Sequence, residues 1–157
     1  MVNPEAVLAG IVDPELPMVT LAELGVLRGV TCSGGRVEVE LAPTYLGCPA
    51  IEVMADDIRR ALRAHGAGDV VVRTVMSPPW TTDDITAEGR RKLAAAGIAP
   101  PRPGGPVFVG LPAAPNVRCP RCGSAATTLM SPFSGTACRA LRRCEDCREP
   151  FDHVKER

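Results

Sequence analysis

Three short stretches of this chain are rich in β-branched and other apolar residues, and one of them alternates hydrophobic and polar positions with a period of two. That stretch is 36–42, in which two valines and a leucine alternate with charged residues. This alternation is typical of a half-buried strand, and the Ser-Gly-Gly sequence at 33–35 suits a tight turn before it. The pattern predicts a hairpin of two strands, 26–32 and 36–42, and a third strand over 69–76.

A helical period of apolar residues appears between and around these strands. The strongest helix is predicted over 49–65, because six apolar residues share one face: Ile51, Met54, Ala55, Ile58, Ala61 and Leu62. Further helices are predicted over 4–12 and 83–96, with a short turn at 21–25. The order α-β-β-α-β-α predicts an α+β fold, in which a small mixed sheet carries its helices on one face.

Composition changes after position 97. Residues 98–116 contain six prolines and three glycines, which is typical of a semi-rigid linker. We therefore expect an α+β domain over 1–97, a linker over 98–116 and a small cysteine-rich domain over 117–157. A chain of 157 residues is long enough for one domain and such an appendage.

Charge is balanced over the whole chain but unevenly distributed along it. Residues 1–116 carry 10 basic and 13 acidic residues, whereas residues 117–157 carry 8 basic and 5 acidic ones. This basic surplus supports nucleic-acid binding only weakly, because aromatic residues are not interleaved with the basic ones. An acidic protein partner or simple solvation explains the surplus better.

The N-terminus has neither the basic nor the apolar region of a signal peptide, and no apolar run approaches the ~18 residues of a membrane span. Seven cysteines is an odd number, which argues against a fully paired disulfide framework. We therefore expect a cytoplasmic protein that does not bind a membrane. In a reducing compartment its thiols would bind metal or take part in chemistry.

The C-terminal cysteine pattern is the strongest chemical signal. Cys119 and Cys122 form one Cys-x-x-Cys pair, and Cys144 and Cys147 form a second after 21 residues. Two such pairs predict a four-thiolate zinc site, which would stabilise a domain with few large apolar side chains. Two disulfides, or an iron–sulfur cluster on the same four sulfurs, are the alternatives.

Two further residues of this part could coordinate the metal. Cys138 lies between the pairs and could replace one of the four ligands, and His153 could supply a nitrogen. Four cysteines already suffice, so we interpret Cys138 as passive or as facing a partner.

Cys48 is the candidate reactive residue of the first domain. It directly precedes Pro49, which suits the first position of the helix predicted over 49–65, so Cys48 is predicted at the N-cap. Unpaired backbone N–H groups and the helix dipole would favour its thiolate there. The alternative is a buried, inert cysteine, which is common for this residue type.

Other residues are candidates on local grounds. Asp13 is either a functional carboxylate or the cap of the following turn, and the second interpretation is favoured. Thr44 is either a supporting hydroxyl or a turn residue. Trp80 and Cys32 are predicted to lie in the core.

Longer motifs of the chain resemble a known family. Asp-Pro-Glu-Leu-Pro at 13–17 and Thr-Tyr-Leu-Gly-Cys-Pro at 44–49 are similar to the small domain of cytosolic iron–sulfur assembly factors. Ser-Pro-Pro-Trp at 77–80, with the ribbon segments 119–124 and 147–152, narrows the resemblance to the D-subunit family of bacterial ring-1,2-phenylacetyl-CoA epoxidase systems. The resemblance covers nearly the whole chain.

The resemblance implies an accessory protein of a multicomponent monooxygenase, not an enzyme in its own right. In that system the oxygenase carries a di-iron centre and the reductase carries flavin and a [2Fe–2S] cluster, and members of this family help to mature or repair these centres. The family's functional aspartate and cysteine correspond here to Asp13 and Cys48, with Thr44 as a supporting hydroxyl. The expected cofactors are structural zinc in the ribbon and transient iron or an iron–sulfur cluster at Cys48.

The expected partners are the oxygenase and reductase components of that system. They would dock on basic residues of the ribbon: Arg139, Arg142, Arg143 and Arg148. A homodimer would bring two Cys48 thiolates together, because a cluster normally requires four thiolates. Two hypotheses compete with maturation: a stoichiometric structural subunit that has no need of Cys48, and a nucleic-acid-binding ribbon with steeply salt-dependent affinity.

Overall fold

The computed structural model describes residues 3–45, 47–102, 104 and 116–156. The chain forms two compact units, Met1–Gly89 and Arg90–Arg157. We call them the front unit and the ribbon unit. None of the helices in the described part of the chain is long and apolar enough to cross a membrane.

The front unit contains a three-stranded mixed sheet. Its strands are β1 (Leu27–Ser33), β2 (Arg36–Leu41) and β3 (Asp69–Thr74), and β2 pairs antiparallel with β1 and parallel with β3. Gly34 and Gly35 join β1 to β2 with φ values of 56° and 83°. Positive φ at both central residues is what a type I′ hairpin turn requires. The predicted hairpin and mixed sheet are confirmed.

The helix that follows β2 packs against the sheet. This helix, α3 (Ala50–Ala64), contacts β3, and a short N-terminal helix, α1 (Pro4–Leu8), packs against α3. The predicted apolar stripe of α3 is confirmed, because Met54, Ala55, Ile58 and Leu62 are buried. Burial of each large aliphatic side chain contributes about 1.5–3 kcal/mol to stability.

The first helix is shorter than the sequence predicted. The apolar period predicted a helix over 4–12, but α1 ends at Leu8. Val12 instead forms an isolated antiparallel bridge with Thr20, which requires an extended backbone. Gly10 lowers the helix propensity of the intervening segment, so the helix ends before Asp13 rather than at it.

The single helix predicted over 83–96 is replaced by two elements. A 3-10 turn spans Thr82–Asp84 and the helix α4 spans Ala87–Ala95. Ile85 between them is extended and buried, so it anchors the chain instead of continuing the helix. The side chain of Thr86 accepts a hydrogen bond from the backbone N–H of Gly89 at 3.0 Å, so Thr86 caps the helix.

Tertiary contacts explain this break. The short helix α2 (Leu21–Leu24) ends at Gly25, where an added Cβ would lie 2.4 Å from the carbonyl oxygen of Asp84. Arg28 donates two hydrogen bonds to the Asp84 carboxylate, at 2.8 and 2.9 Å, and lowers its pKa. Trp80 is buried as predicted, and its Nε1–H donates to the last carbonyl of α2 at 2.9 Å.

The ribbon unit contains a four-stranded sheet. Its strands are β4 (Ile98–Ala99), β5 (Thr127–Ser131), β6 (Arg139–Cys144) and β7 (Pro150–Val154), in the order β4-β7-β6-β5. β4 pairs parallel with β7, and the other pairs are antiparallel. The linker predicted over 98–116 therefore begins with a strand, because both residues of β4 are buried. Residues 103 and 105–115 of that prediction lie outside the described residues.

The apolar cluster of the ribbon unit is small. Its buried members are Ala99, Val117, Cys119, Cys144 and Phe151. Only one of these side chains is aromatic, and two are the cysteines that were predicted to bind metal. A core of this size needs an additional source of stability.

Candidate metal centre

The two Cys-x-x-Cys pairs meet in the ribbon unit. The sulfurs of Cys119, Cys122, Cys144 and Cys147 all lie within 4.8 Å of one another, with 3.7 Å from Cys119 to Cys147 and 3.5 Å from Cys122 to Cys144. Zn–S bonds of about 2.3 Å in a tetrahedron place the sulfurs about 3.8 Å apart, so this spacing fits one zinc ion. All seven cysteines lie in the described part of the chain, and none forms a disulfide.

Both pairs have the same backbone design. The N–H of the first cysteine donates to the carbonyl five residues later, at 2.8 Å for Cys119 and 3.0 Å for Cys144. The residue after the second cysteine is left-handed in each pair, with φ 76° at Gly123 and 65° at Arg148. This turn directs the two thiols of a pair to the same side.

Two of the four thiols, those of Cys144 and Cys147, have pKa values that are shifted in opposite directions. The backbone N–H of Cys147, helped by that of Asp146, lowers the pKa of Cys144 to about 7. The N–H of Glu149 acts on Cys147 in the same direction, but burial and the neighbouring sulfurs outweigh it and raise the pKa of Cys147 to about 12. Four thiolates at this distance repel one another, so all four ionise together only beside a cation. The donor set therefore suits a structural zinc ion.

The other proposed ligands lie elsewhere in the ribbon unit. The Cys138 sulfur is 3.1 Å from the hydroxyl of Thr136 and lies outside the four-sulfur cluster. His153 is buried on β7 and likewise lies outside that cluster.

The four arginines proposed for docking have different environments. Arg148 is exposed, whereas Arg143 is half-buried and lies 3.9 Å from Glu145. Arg139 is held by an ion pair of 2.9 Å with Asp152. Arg142 is only 6% exposed, because it lies on the inner face of β6.

Two features of the ribbon unit escaped sequence reasoning. The first is the left-handed backbone of Arg148. The matching position of the first pair is a glycine, which could have indicated this conformation. The second is the burial of Arg142. Arg142 alternates along β6 with the same period as Ala140 and Cys144, which are also buried, and this period could have indicated that it lies on the inner face.

In the front unit, Cys48 lies in the loop between β2 and α3. The structure corrects the predicted cap by one residue: Pro49 is the N-cap of α3, and Cys48 precedes it. The reason is that the carbonyl of Cys48 accepts the N–H of Ile51, three residues on, at 3.3 Å, which closes a turn before the α-helix begins. Cys48 is half-buried, and the φ of 78° at Gly47 turns the chain into it.

The topology places this loop at the carboxyl edge of two parallel strands. β2 and β3 are parallel, so Thr44, Cys48 and the segment after β3 all follow the carboxyl ends of these strands. β1 begins at the same edge, because Leu27 is opposite Leu41. Ligands of α/β sheets commonly bind outside the carboxyl ends of parallel strands.

Asp13 lies in the segment that leads towards β1. Its side chain is buried, and one carboxylate oxygen accepts the N–H groups of Glu15 and Leu16, each at 2.8 Å. This is the turn-capping geometry favoured for Asp13. Cys32, predicted in the core, is exposed instead, because β1 is an edge strand whose last three residues are exposed.

The fold and the four-cysteine site define a class of two-part proteins, with an α+β domain followed by a zinc β-ribbon. The family model "Iron-sulfur cluster assembly protein" matches residues 5–74, and the model "PaaD zinc beta ribbon domain" matches residues 104–155. The chain is 47% identical over 150 residues to an Escherichia coli (strain K12) protein named as the D subunit of 1,2-phenylacetyl-CoA epoxidase. That similarity covers 96% of this chain and 89% of the relative. The chain therefore belongs to the D-subunit family of phenylacetyl-CoA epoxidases.

Two further similarities concern the front unit. Over 78 residues the chain is 32% identical to the Fe-S protein maturation auxiliary factor YitW of Bacillus subtilis (strain 168), covering 48% of this chain and 76% of that protein. A crystal structure of a DUF59 domain from Bacillus anthracis is similar with a TM-score of 0.53 and 24% identity, covering 58% of this chain and 88% of that chain. The second similarity concerns the fold alone.

Proposed function

We propose that the chain is an accessory maturation factor for the phenylacetyl-CoA epoxidase complex of aerobic phenylacetate degradation. It would help to assemble or repair the iron–sulfur or di-iron centres of that complex. The observation that carries this proposal is the separation of two thiol sites. Four cysteines form one closed metal set, while Cys48 lies in the other unit, at the carboxyl edge of two parallel strands.

Cys48 is proposed as the residue that holds the cargo, which is iron or an iron–sulfur cluster. The family match over residues 5–74 includes Cys48, and one relative is named as a maturation auxiliary factor. A single protein thiolate leaves most cluster positions to other ligands, since four thiolates are normally required. The remaining ligands would come from a second copy of the chain or from the client, which suits a carrier that must release its cargo.

Asp13 and Thr44 are proposed to support Cys48. The hydrogen bonds that the N–H groups of Glu15 and Leu16 donate to the Asp13 carboxylate hold this side chain in its turn. The role of Asp13 would therefore be to shape this edge of the sheet. Thr44 is half-buried in the same loop as Cys48 and would contribute its hydroxyl.

We propose an accessory role rather than a catalytic one. The sequence contains two histidines, and neither lies in the Glu-x-x-His pattern by which helix bundles bind di-iron centres. The zinc of the ribbon would be structural, and the ribbon would dock the oxygenase or reductase through exposed Arg148 and half-buried Arg143. The protein would act in the cytoplasm.

A stoichiometric structural subunit is the second candidate. The observation that favours it is that the E. coli relative is named as a subunit. This candidate requires stable association with the oxygenase and makes Cys48 dispensable.

The two candidate functions can be distinguished in cells that produce the epoxidase components but lack this chain. The wild type, Cys48→Ala or Cys32→Ala is supplied, and the iron per oxygenase and the epoxidase activity are measured. Cys32 is the matched control, because it is a cysteine of the same unit that is exposed on β1. Maturation predicts that Cys32→Ala restores both quantities and Cys48→Ala restores neither. Full restoration by Cys48→Ala would instead support the structural role.

A further inference from the structure

One face of the ribbon sheet contains a concave site away from the four cysteines. It is a cavity of about 600 Å³ lined by residues of β5, β6 and the end of the chain, among them Arg142, His153 and Lys155. A second cavity of about 520 Å³ shares His153 and Glu156 with it. Volumes of this size are typical of small-molecule sites.

The strand register explains why these side chains meet. β6 and β7 are antiparallel, with Ala140 opposite His153 and Arg142 opposite Phe151. Directly opposed residues share a face, so Arg142 and His153 lie on the same side as Cys144. Cys144 lies at the end of β6, and the β6 residues that line the cavity, Ala140 and Arg142, precede it on the same face.

Arg142 is a buried cation without an acidic partner in the described part of the chain. It is 6% exposed, and its two hydrogen bonds, to the hydroxyl and the carbonyl of Thr127, are both 3.4 Å long. This distance is near the limit for a hydrogen bond. A buried guanidinium is costly unless an anion compensates it.

His153 adds a ring nitrogen whose hydrogen-bonding capacity is not used within the described residues. The residue is 4% exposed, and its Nε2 atom is buried without a hydrogen-bond partner among the described residues. Burial, with Arg142 and Arg102 nearby, lowers the pKa of His153 to about 4, so the ring is neutral at pH 7. A neutral imidazole can still donate one N–H to an anion.

Further positive charge surrounds the two cavities. Lys155, Arg102 and Arg118 line them and donate to backbone carbonyls, and Lys155 also lies 4.5 Å from the centre of the Phe133 ring. None of these three forms an ion pair within the described residues. Glu156 is the one acidic residue among the described lining residues of either cavity.

We propose that this face of the ribbon binds a phosphate-bearing small molecule, with the phosphate held by Arg142, His153 and Lys155. Arg142 and Lys155 line the first cavity and Arg102 and Arg118 line the second, and this positive charge suits a doubly charged oxyanion better than a single carboxylate. The cavity is also larger than one carboxylate side chain needs. This site is independent of the proposed role of Cys48.

The test uses the zinc-loaded full chain and the nitrogen resonances of its two histidines. Pyrophosphate and inorganic phosphate are the probes, and benzoate is the carboxylate control. We expect saturable shifts of the His153 nitrogens with pyrophosphate and smaller effects with benzoate. His65, on the other unit, should not move. The proposal is overturned if His153 does not respond, if both histidines shift together, or if benzoate binds as tightly as pyrophosphate.

Variants then locate the site. Lys155→Gln should weaken pyrophosphate binding severalfold, and Arg142→Gln should weaken it at least about tenfold, because each removes a charge-assisted contact. Arg143→Gln is the matched control, since Arg143 is adjacent on β6 but faces the opposite side of the sheet. An equal loss in Arg143→Gln and Lys155→Gln would mean general attraction to a basic surface and would refute the site. The Lys155 variant and the wild-type spectra keep the test decisive if Arg142→Gln does not fold.

Discussion

The front unit and the ribbon unit use cysteine for opposite purposes. In the front unit the core is aliphatic, with Val39, Ile58 and Leu62 completely buried. In the ribbon unit two of the five buried cluster members are Cys119 and Cys144, which belong to the four-sulfur set. The ribbon thus depends on its thiols for stability, whereas the front unit has a packed core that does not include its cysteines.

This difference explains why a single front-unit cysteine can serve function. Cys32 is exposed and Cys48 is half-buried, and neither belongs to the buried core. Replacing either one removes little packing. We therefore expect that loss of the metal destabilises the ribbon unit alone and that substitutions in the aliphatic core destabilise the front unit alone.

Removal of zinc should have the largest effect. Structural zinc sites contribute about 10–16 kcal/mol of binding free energy, which is also folding free energy. We expect a chelator to collapse the amide resonances of 116–156 while those of the front unit keep their dispersion. Cys144→Ser should reproduce the loss and Cys138→Ser should not. Loss of front-unit dispersion at the same chelator concentration would contradict the separation.

Leu62→Ala should lower the stability of the front unit. Leu62 is completely buried in α3, and removing a buried leucine side chain costs about 3–5 kcal/mol. Urea unfolding followed by amide resonances should show an earlier transition for the front unit and an unchanged one for the ribbon. Arg60→Ala, on the exposed side of the same helix, is the control and should change stability little.

Acid should weaken the ribbon through His153. Its pKa is lowered to about 4 when folded, against about 6.5 when unfolded, so below pH 6.5 the unfolded chain takes up a proton that the folded chain does not. Stability should therefore fall between pH 6.5 and pH 4, on the order of 3 kcal/mol from this residue. A nitrogen-detected titration should place the His153 midpoint near pH 4. A midpoint above pH 6 would show that burial does not control this group.

Arg148→Gly should have the smallest effect. Arg148 adopts φ 65°, where a non-glycine residue costs roughly 1–2 kcal/mol, partly offset by the greater entropy loss of glycine. We expect a gain in stability below about 1 kcal/mol, measured by thermal unfolding of the zinc-loaded protein. Gly123→Arg at the matching position of the first pair should lose a similar amount. A destabilised Arg148→Gly protein would mean that the arginine side chain contributes more than its backbone strain costs.

Local patterns predicted the parts of this molecule that local forces determine. The alternation at 36–42 and the stripe of α3 were confirmed, because each reflects burial of one face. The Cys-x-x-Cys spacing predicted the four-sulfur cluster, since each pair already holds two thiols in one turn.

The errors occur where distant residues decide the outcome. The helix predicted over 83–96 is interrupted because Asp84 lies against Gly25 and is held by Arg28, contacts that no local period reveals. Cys32 was predicted buried from its strand, but its position near the end of an edge strand leaves it exposed. The cluster of Arg142 and His153 depends on the register of β6 and β7, which the sequence pattern did not specify.

The division of roles between the two thiol sites is tested most directly by metal and sulfide analysis, with absorption spectra, of anaerobically purified wild type, Cys48→Ala and Cys32→Ala. We expect about one zinc per chain in all three proteins. We also expect iron and sulfide in the wild type and Cys32→Ala that are lost in Cys48→Ala. Iron that persists in Cys48→Ala while zinc is absent would make the ribbon the cluster site and would contradict the division of roles between the two units.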